Sequence, residues 1–156
     1  EIPLRLVGSE MCIRDSLGFE VEGNDENLSH LDVNSYATMI DKVIEKFPNI
    51  SVVATTLRQV RTASRNDWSA IAWSKDTGLV RSVERPNLEI LDRVGGGDSF
   101  AAGLVAGLME TGDLQKAVEL GAAHGALAMT TPGDTSMVTR CEVESLAAGG
   151  SARVKR

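Results

Sequence analysis

The sequence predicts an α/β domain in which helices are layered on a mixed sheet, and three observations support this prediction. A helical spacing of apolar residues stops at Pro48, and a short β-branched run, residues 50–57, follows at once. Two more extended runs meet at a turn, residues 76–78. After three consecutive glycines the helical period returns and continues towards the C-terminus. With 156 residues, the chain is long enough for one such domain with its own core.

Each element has its own signal. Six apolar residues spaced by three and four form one face of the first helix: Tyr36, Met39, Ile40, Val43, Ile44 and Phe47. Residues 50–57 predict a buried parallel strand, residues 69–75 and 79–84 a hairpin, and residues 89–91 a short extended piece.

The helices after the glycines are bounded by recognisable signals. Phe100, Leu104 and Leu108 share a face, and the residues 111–113 (TGD) end that helix. Asp113 is a plausible N-cap for the next helix, which turns Leu114, Val118 and Leu120 inward. Residues 139–142 have the spacing of a capping box and predict a last helix over 140–148.

Composition narrows the class of protein. A net charge of −6 argues against nucleic acid or an anionic membrane as the main partner, because both require a basic surface. No apolar run reaches the roughly 18 residues of a membrane span. Cys12 and Cys141 have no partners at metal-ligand spacing. A cytoplasmic enzyme is therefore the expected class.

Residues 1–16 do not fit the rest of the chain. The string EIPLRLVGSEMCIRDS has neither the apolar core nor the cleavage site of a secretory signal, and it resembles translated adaptor or vector sequence. We therefore expect the genuine protein to begin at Leu17 and to be cut off upstream. An unusual natural N-terminus is the alternative.

The stretch DRVGGGDSFAAGL, residues 92–104, is the part of the sequence that predicts an anion-binding and catalytic site. A glycine run at a helix N-terminus exposes backbone N–H groups, and with the helix dipole these form an anion site. Asp98 adds a carboxylate that can accept a proton. Phosphoryl transfer to an alcohol needs this combination of base and preorganised donors.

Two nucleotide-binding motifs rich in glycine fit this stretch less well. A dinucleotide fingerprint needs a third glycine where Phe100 stands, and a Walker loop needs a nearby lysine, whereas Lys116 is far along the chain. A structural turn with Asp98 as an ordinary N-cap remains an alternative, although one glycine would suffice for it.

The same stretch resembles the second signature of the ribokinase-like (PfkB) carbohydrate kinases, D-T-x-G-A-G-D-x-F. Gly96 replaces the usual alanine, and Arg93 departs from the usual small or β-branched residue. Five residues match the pattern: Asp92, Gly95, Gly97, Asp98 and Phe100. The resemblance covers residues 17–156, about the C-terminal two-fifths of such a kinase, and implies a ribokinase-like layered α/β fold.

Within this family, four segments most resemble 2-keto-3-deoxygluconate kinases: VVATTLR, SRNDWSAIAW, AHGALAMTTPGDTSMVT and GGSARVKR. The resemblance implies transfer from ATP and Mg²⁺ to the 6-hydroxyl of 2-keto-3-deoxygluconate in a full-length, homo-oligomeric parent. Two alternatives stay open: a kinase for fructose or a related ketose, and a nucleotide-binding fragment without turnover.

The resemblance also implies residue roles. Asp98 is the general base, and the N–H groups of Gly95, Gly96 and Gly97 hold the phosphates. A monovalent cation, K⁺, has four candidate ligands: Asp92, the carbonyl of Val94, and less securely Gly133 and Ser136. The alternative for Asp92 is an ion pair with Arg93.

Three more residues are candidates for the nucleotide site. Thr56 and Arg58 lie where relatives bind nucleotide, and the arginine could instead form a surface ion pair. His124 could edge the adenine pocket or be a packed, neutral histidine.

One element of the family is missing. Relatives carry an N-x-x-E element that helps to organise magnesium, and the string GNDEN at 23–27 does not reproduce its spacing. The sugar-binding residues and the lid also belong to the upstream half. We therefore expect the chain alone to show no kinase turnover.

Overall fold

A computed structural model gives the structure of residues 4–9, 18 and 33–150. Its elements, in chain order, are β1 (Leu4–Ser9), α1 (Val33–Lys46), β2 (Ile50–Thr62), β3 (Arg65–Ser74), β4 (Gly78–Arg81), β5 (Arg85–Glu89), α2 (Gly96–Thr111), α3 (Leu114–Met129) and α4 (Arg140–Ala147). The helices agree with the predicted ones, and α4 begins with the expected capping box between Thr139 and Glu142.

The sheet is mixed, as the sequence predicts. Its strand order is β1-β2-β3-β4, and β5 pairs with β3 beyond the end of β4. β1 runs parallel to β2, whereas the pairings of β3 with β2, β4 and β5 are antiparallel. This arrangement confirms the α/β fold class.

Both faces of the sheet are covered, which gives three layers. α1 packs on one face and forms a cluster with its strands: Tyr36, Met39, Ile40, Val43, Val53, Leu57 and Ile71. α2, α3 and α4 pack on the other face, over small strand residues such as Ala54, Ala70 and Ala72. Trp68 joins sheet and helices there, because its indole N–H donates to the carbonyl of Ala122 at 2.9 Å. None of the described helices has the length and apolar character needed to cross a bilayer.

The hairpin of β2 and β3 is longer than the sequence predicts. β2 continues past residue 57 to Thr62, and β3 begins at Arg65 rather than at residue 69. The extension is polar, so no apolar alternation marks it. A buried carboxylate stabilises it: Asp67 accepts hydrogen bonds from Arg61 Nε at 2.7 Å and from the N–H of Asn87 at 2.8 Å.

Residues 1–16, here called the leader, differ from expectation in one respect. From the sequence we expect them to take no part in the fold, but the structure pairs Leu4–Ser9 with β2. The physical reason is that strand pairing uses backbone groups, and the edge of β2 offers a row of them to any extended segment. The foreign origin of the leader stays a prediction.

Candidate active site

The glycine turn is fixed by protein contacts at its first position. Gly95 is the residue before α2 and has φ +81° and ψ −13°, a left-handed conformation that favours glycine. A Cβ at this position would also collide with the backbone carbonyl of Asp134. Gly95 is therefore required by the fold itself.

The second and third glycines face different surroundings. A Cβ on Gly96 would lie 2.8 Å from Cγ and 3.0 Å from Sδ of Met129, so Gly96 lets α2 approach α3. A Cβ on Gly97 would meet no atom within 4 Å. The three glycines are therefore not equivalent, because Gly97 alone among them borders open space in the described structure; the role of their N–H groups in binding phosphate stays a prediction.

The N-terminus of α2 presents three backbone donors. The N–H of Ser99 makes the first helical hydrogen bond, to the carbonyl of Gly95 at 2.8 Å. The N–H groups of Gly96, Gly97 and Asp98 precede that bond and have no partner within the helix. Asp98 is exposed in the first turn, and the N-cap is Gly95. Asp98 is thus not the ordinary N-cap of the structural alternative.

The segment before the glycines is tied to both neighbouring elements. The N–H of Leu91 donates to the carbonyl of Met129 at 2.9 Å, and Asp92 Oδ1 accepts from the N–H of Val94 at 3.0 Å. Arg93 donates to the carbonyl of Ala63 at 2.8 Å, at the tip of the β2–β3 hairpin. The alternative ion pair between Asp92 and Arg93 does not form.

The remaining candidate cation ligands lie in the loop after α3. Gly133 is exposed and has φ +95°, and the hydroxyl of Ser136 lies 2.8 Å from Nε2 of His124. The described residues include no group of three or more acidic, histidine or cysteine side chains that could hold a metal ion.

His124 is packed between the loop after α3 and the first turn of α2. Burial lowers the pKa of this histidine, while a hydrogen bond to the backbone of Ser99 acts in the opposite direction and is the smaller effect. A neutral ring can donate to a carbonyl with one nitrogen and accept from a hydroxyl with the other. The contacts are those of a packed, neutral histidine, and a place for His124 at the edge of an adenine pocket stays a prediction.

Thr56 and Arg58 lie on β2 and differ in accessibility. Thr56 is 8 % exposed and faces little solvent, whereas Arg58 is half-buried. Arg58 pairs across the hairpin with Trp68, so its side chain lies on the face covered by α2 and α3. Burial lowers the pKa of Arg58, and the positive charge of Arg93 lowers it further.

Sequence reasoning missed two features of the region around α2 and α3. Arg93 stands out in the sequence as a departure from the family pattern, but its contact with the hairpin tip depends on the unpredicted extension of β2 and β3. The second feature is a cavity of about 330 Å³ between α2, α3 and α4. His124 lines it, and Arg140 bridges its rim by donating to Glu110 at 2.7 Å.

Comparisons with known proteins identify the family of this chain. Residues 63–141, which run from the tip of the β2–β3 hairpin through the glycine turn to the start of α4, match the pfkB family carbohydrate kinase. The chain belongs to that family. The solved 2-dehydro-3-deoxygluconokinase of Thermotoga maritima is 35 % identical, with a TM-score of 0.81 over 93 % of this chain.

Two further relatives point in the same direction. An Enterococcus faecalis protein named as a 2-keto-3-deoxygluconate kinase is 26 % identical over 97 % of this chain, with a TM-score of 0.73. The 2-dehydro-3-deoxygalactonokinase of Haloferax volcanii is 28 % identical over 133 residues, or 70 % of this chain. This chain covers 42 % of each of these three proteins, so it spans about two-fifths of their length.

Proposed function

We propose that this chain carries the catalytic base and the phosphate-binding end of an ATP-dependent kinase for a 2-keto-3-deoxy sugar acid. The observation that carries the proposal is the N-terminus of α2, where an exposed carboxylate, Asp98, adjoins three N–H groups that have no partner within the helix. The remainder of such a kinase, including its sugar-binding half, would precede residue 17.

The proposed chemistry is in-line phosphoryl transfer. The 6-hydroxyl oxygen of the sugar acid forms a bond to the γ-phosphorus of ATP, and the bond from that phosphorus to the β–γ bridging oxygen breaks. Asp98 accepts the hydroxyl proton, and ADP leaves. The N–H groups of Gly96, Gly97 and Asp98 stabilise negative charge on the transferring group. Such stabilisation by preorganised donors is usually the largest single contribution to the rate enhancement of an enzyme.

Metal ions enter this proposal in two ways. Mg²⁺ would neutralise phosphate charge in such a reaction. The described residues include no group of three or more acidic, histidine or cysteine side chains that could hold it. A monovalent cation, K⁺, is proposed beside the glycine turn, with Asp92 and the carbonyl of Val94 as ligands and Gly133 and Ser136 as further candidates.

The substrate class rests on the names of relatives. The relatives at 35 % and 28 % identity are named as kinases of 2-dehydro-3-deoxy acids, one of the gluconate and one of the galactonate series. Both acids belong in the assay, with fructose as the alternative acceptor.

We expect two substitutions to separate chemistry from binding. In the full-length protein, Asp98→Asn should lower turnover by about 10²–10⁴-fold while nucleotide affinity stays within a few-fold, because the amide cannot accept a proton. Gly97→Ala should instead weaken ATP and ADP binding about tenfold or more, since its Cβ would enter open space at the proposed phosphate-binding turn and meet no protein atom within 4 Å.

The measurements are a coupled ADP-release assay and calorimetric titration. Asp76→Asn, in the exposed turn between β3 and β4, is the matched control and should behave as wild type. Wild-type turnover in Asp98→Asn would remove Asp98 from the mechanism. Unchanged nucleotide affinity in Gly97→Ala would show that the anion binds elsewhere.

A further inference from the structure

The loop after α3, residues 132–137, is held in place by very little hydrogen bonding. In the described part of the chain, one hydrogen bond joins this loop to another element, between Oγ of Ser136 and Nε2 of His124 on α3 at 2.8 Å. The hydroxyl of Thr135 bonds to the side chain of Asp134, inside the loop. Every residue of the loop except Ser136 is exposed. A segment with so little burial and hydrogen bonding has low local stability, so its position depends on His124.

This loop lies against the glycine turn. A Cβ on Gly95 would collide with the backbone carbonyl of Asp134, so the two backbones are in contact. Gly95 is the N-cap of α2, and its left-handed conformation sets the direction in which the N–H groups of residues 96–98 point. The loop therefore packs on the residue that determines how those donors are presented.

His124 belongs to a part of α3 that is fixed relative to the first turn of α2. A Cβ on its neighbour Gly125 would lie 2.8 Å from the carbonyl oxygen of Gly96, so the two helix backbones touch here. The imidazole is also hydrogen-bonded to the backbone of Ser99, in the first turn of α2. One side chain thus connects α3, the first turn of α2 and the loop that packs on the glycine turn.

We propose that His124 is a positioning residue, which holds residues 132–137 against Gly95 through its hydrogen bond to Ser136 and so preorganises the N–H groups of the glycine turn. This inference deepens the proposed function and rests on it. Donors that are fixed before a phosphate arrives bind it more tightly than donors that must first be ordered, because ordering costs conformational entropy. His124 acts through the loop rather than on the phosphate.

Limited proteolysis of the 156-residue chain tests the anchor without any ligand. Endoproteinase Asp-N cleaves before aspartate, and Asp134 lies in the middle of the loop. His124→Leu and Ser136→Ala should each be cleaved before Asp134 about threefold to tenfold faster than wild type, the effect expected when one neutral hydrogen bond is lost. Cleavage before Asp76, in the exposed turn between β3 and β4, should keep its rate and is the internal reference.

Calorimetric titration with inorganic tripolyphosphate tests the effect on the glycine turn. Both variants should bind tripolyphosphate about threefold to tenfold more weakly than wild type. In the double variant the second substitution should add nothing, since both substitutions remove the same hydrogen bond. All titrations are made in buffer with and without K⁺, because Ser136 is also a candidate ligand for that cation.

Three controls separate positioning from general damage to the fold. Thr135→Ala removes a neighbouring hydroxyl whose bond stays within the loop, and should behave as wild type in both measurements. His124→Gln carries an amide near the place of Nε2 and should restore most of the affinity that His124→Leu loses. Urea unfolding shows whether each variant is folded, and Ser136→Ala, at a half-buried loop position, carries the test if His124→Leu is unfolded.

The outcomes distinguish this inference from the proposed function. If neither variant is cleaved faster before Asp134, the loop is held by other contacts and the inference is wrong. If cleavage is faster but tripolyphosphate binds as in wild type, the loop does not position the turn, and the proposed function stands without it. If Ser136→Ala weakens binding only with K⁺ present, the hydroxyl is a cation ligand and the inference is overturned. If wild type binds no tripolyphosphate at all, the proposed phosphate site fails and the inference fails with it.

Discussion

Single residues in the glycine run have separate reasons to be glycine, although the sequence presents them as one motif. Gly95 is required by its backbone angles and by the carbonyl of Asp134, and Gly96 by the side chain of Met129. The sequence predicts the anion site and Asp98, because the motif is local and its chemistry is general. It cannot predict the neighbours of Arg93, because they come from a hairpin about thirty residues away.

The pH dependence of stability can test the assignment of His124 as a neutral packing residue. Its folded pKa lies below the ordinary 6.5, so the folded state disfavours the proton that the unfolded state binds. Its contribution to stability is therefore complete above pH 6.5 and is lost as the pH falls through the lowered value. We expect the free energy of unfolding to fall more steeply with acid in wild type than in His124→Gln.

Urea unfolding between about pH 7 and 5, the range in which an unperturbed histidine titrates, measures this difference. His30→Gln removes the other histidine of the chain and serves as the control. Equal slopes in wild type and His124→Gln would mean that His124 titrates as it does in water.

At the scale of elements, α2 and α3 are in contact through backbone rather than through long side chains. A Cβ on Gly103 would lie 2.9 Å from Cα of Gly121, and a Cβ on Gly121 would lie 2.8 Å from the carbonyl oxygen of Phe100. Apolar periodicity in the sequence predicts both helices, but it does not determine the distance between them. That distance depends on which small residues face each other.

We expect Gly121→Ala to destabilise the protein by about 1–3 kcal/mol, because the added methyl group forces apart two helices that have no room to yield. Gly97→Ala, at a position with open space, should leave stability unchanged or raise it slightly, since alanine is the better helix former. Chemical denaturation with both variants measures the contrast. A Gly121→Ala variant as stable as wild type would show that the helices can separate at little cost.

The whole molecule is a sheet covered on both faces, and its layers follow from patterns that the sequence displays. The predicted helices and most strands agree with the structure, and the fold class is confirmed. The polar end of the β2–β3 hairpin escapes sequence-based prediction because backbone hydrogen bonds and the buried Asp67 stabilise it, and neither produces an apolar period. The strand in the leader escapes sequence-based prediction as well, because its pairing with β2 uses backbone hydrogen bonds.

Deletion of residues 1–16 tests the role of the leader in the intact fold. The leader sequence has no periodic apolar face, but the structure pairs its residues 4–9 with β2. If this pairing uses backbone alone, deletion should lower the melting temperature by about 2–4 °C for each kcal/mol lost. A variant with residues 4–9 in shuffled order should melt as wild type.

Thermal unfolding followed by circular dichroism makes the comparison. Equal melting temperatures for the deleted and complete chains would show that the strand adds nothing to stability. A lower melting temperature for the shuffled variant would show that its side chains matter.

Under the proposed function, the open space beside Gly97 has a consequence for engineering the choice of phosphate donor. Selection experiments that randomise the turn would find two of its three positions closed by the protein's own architecture, whatever the donor offered. If the donor binds at this turn as proposed, residue 97 is the position at which a new side chain would meet the donor before it meets the protein. A small library at this one codon, screened against alternative polyphosphates, would therefore explore donor preference with little loss of folded clones.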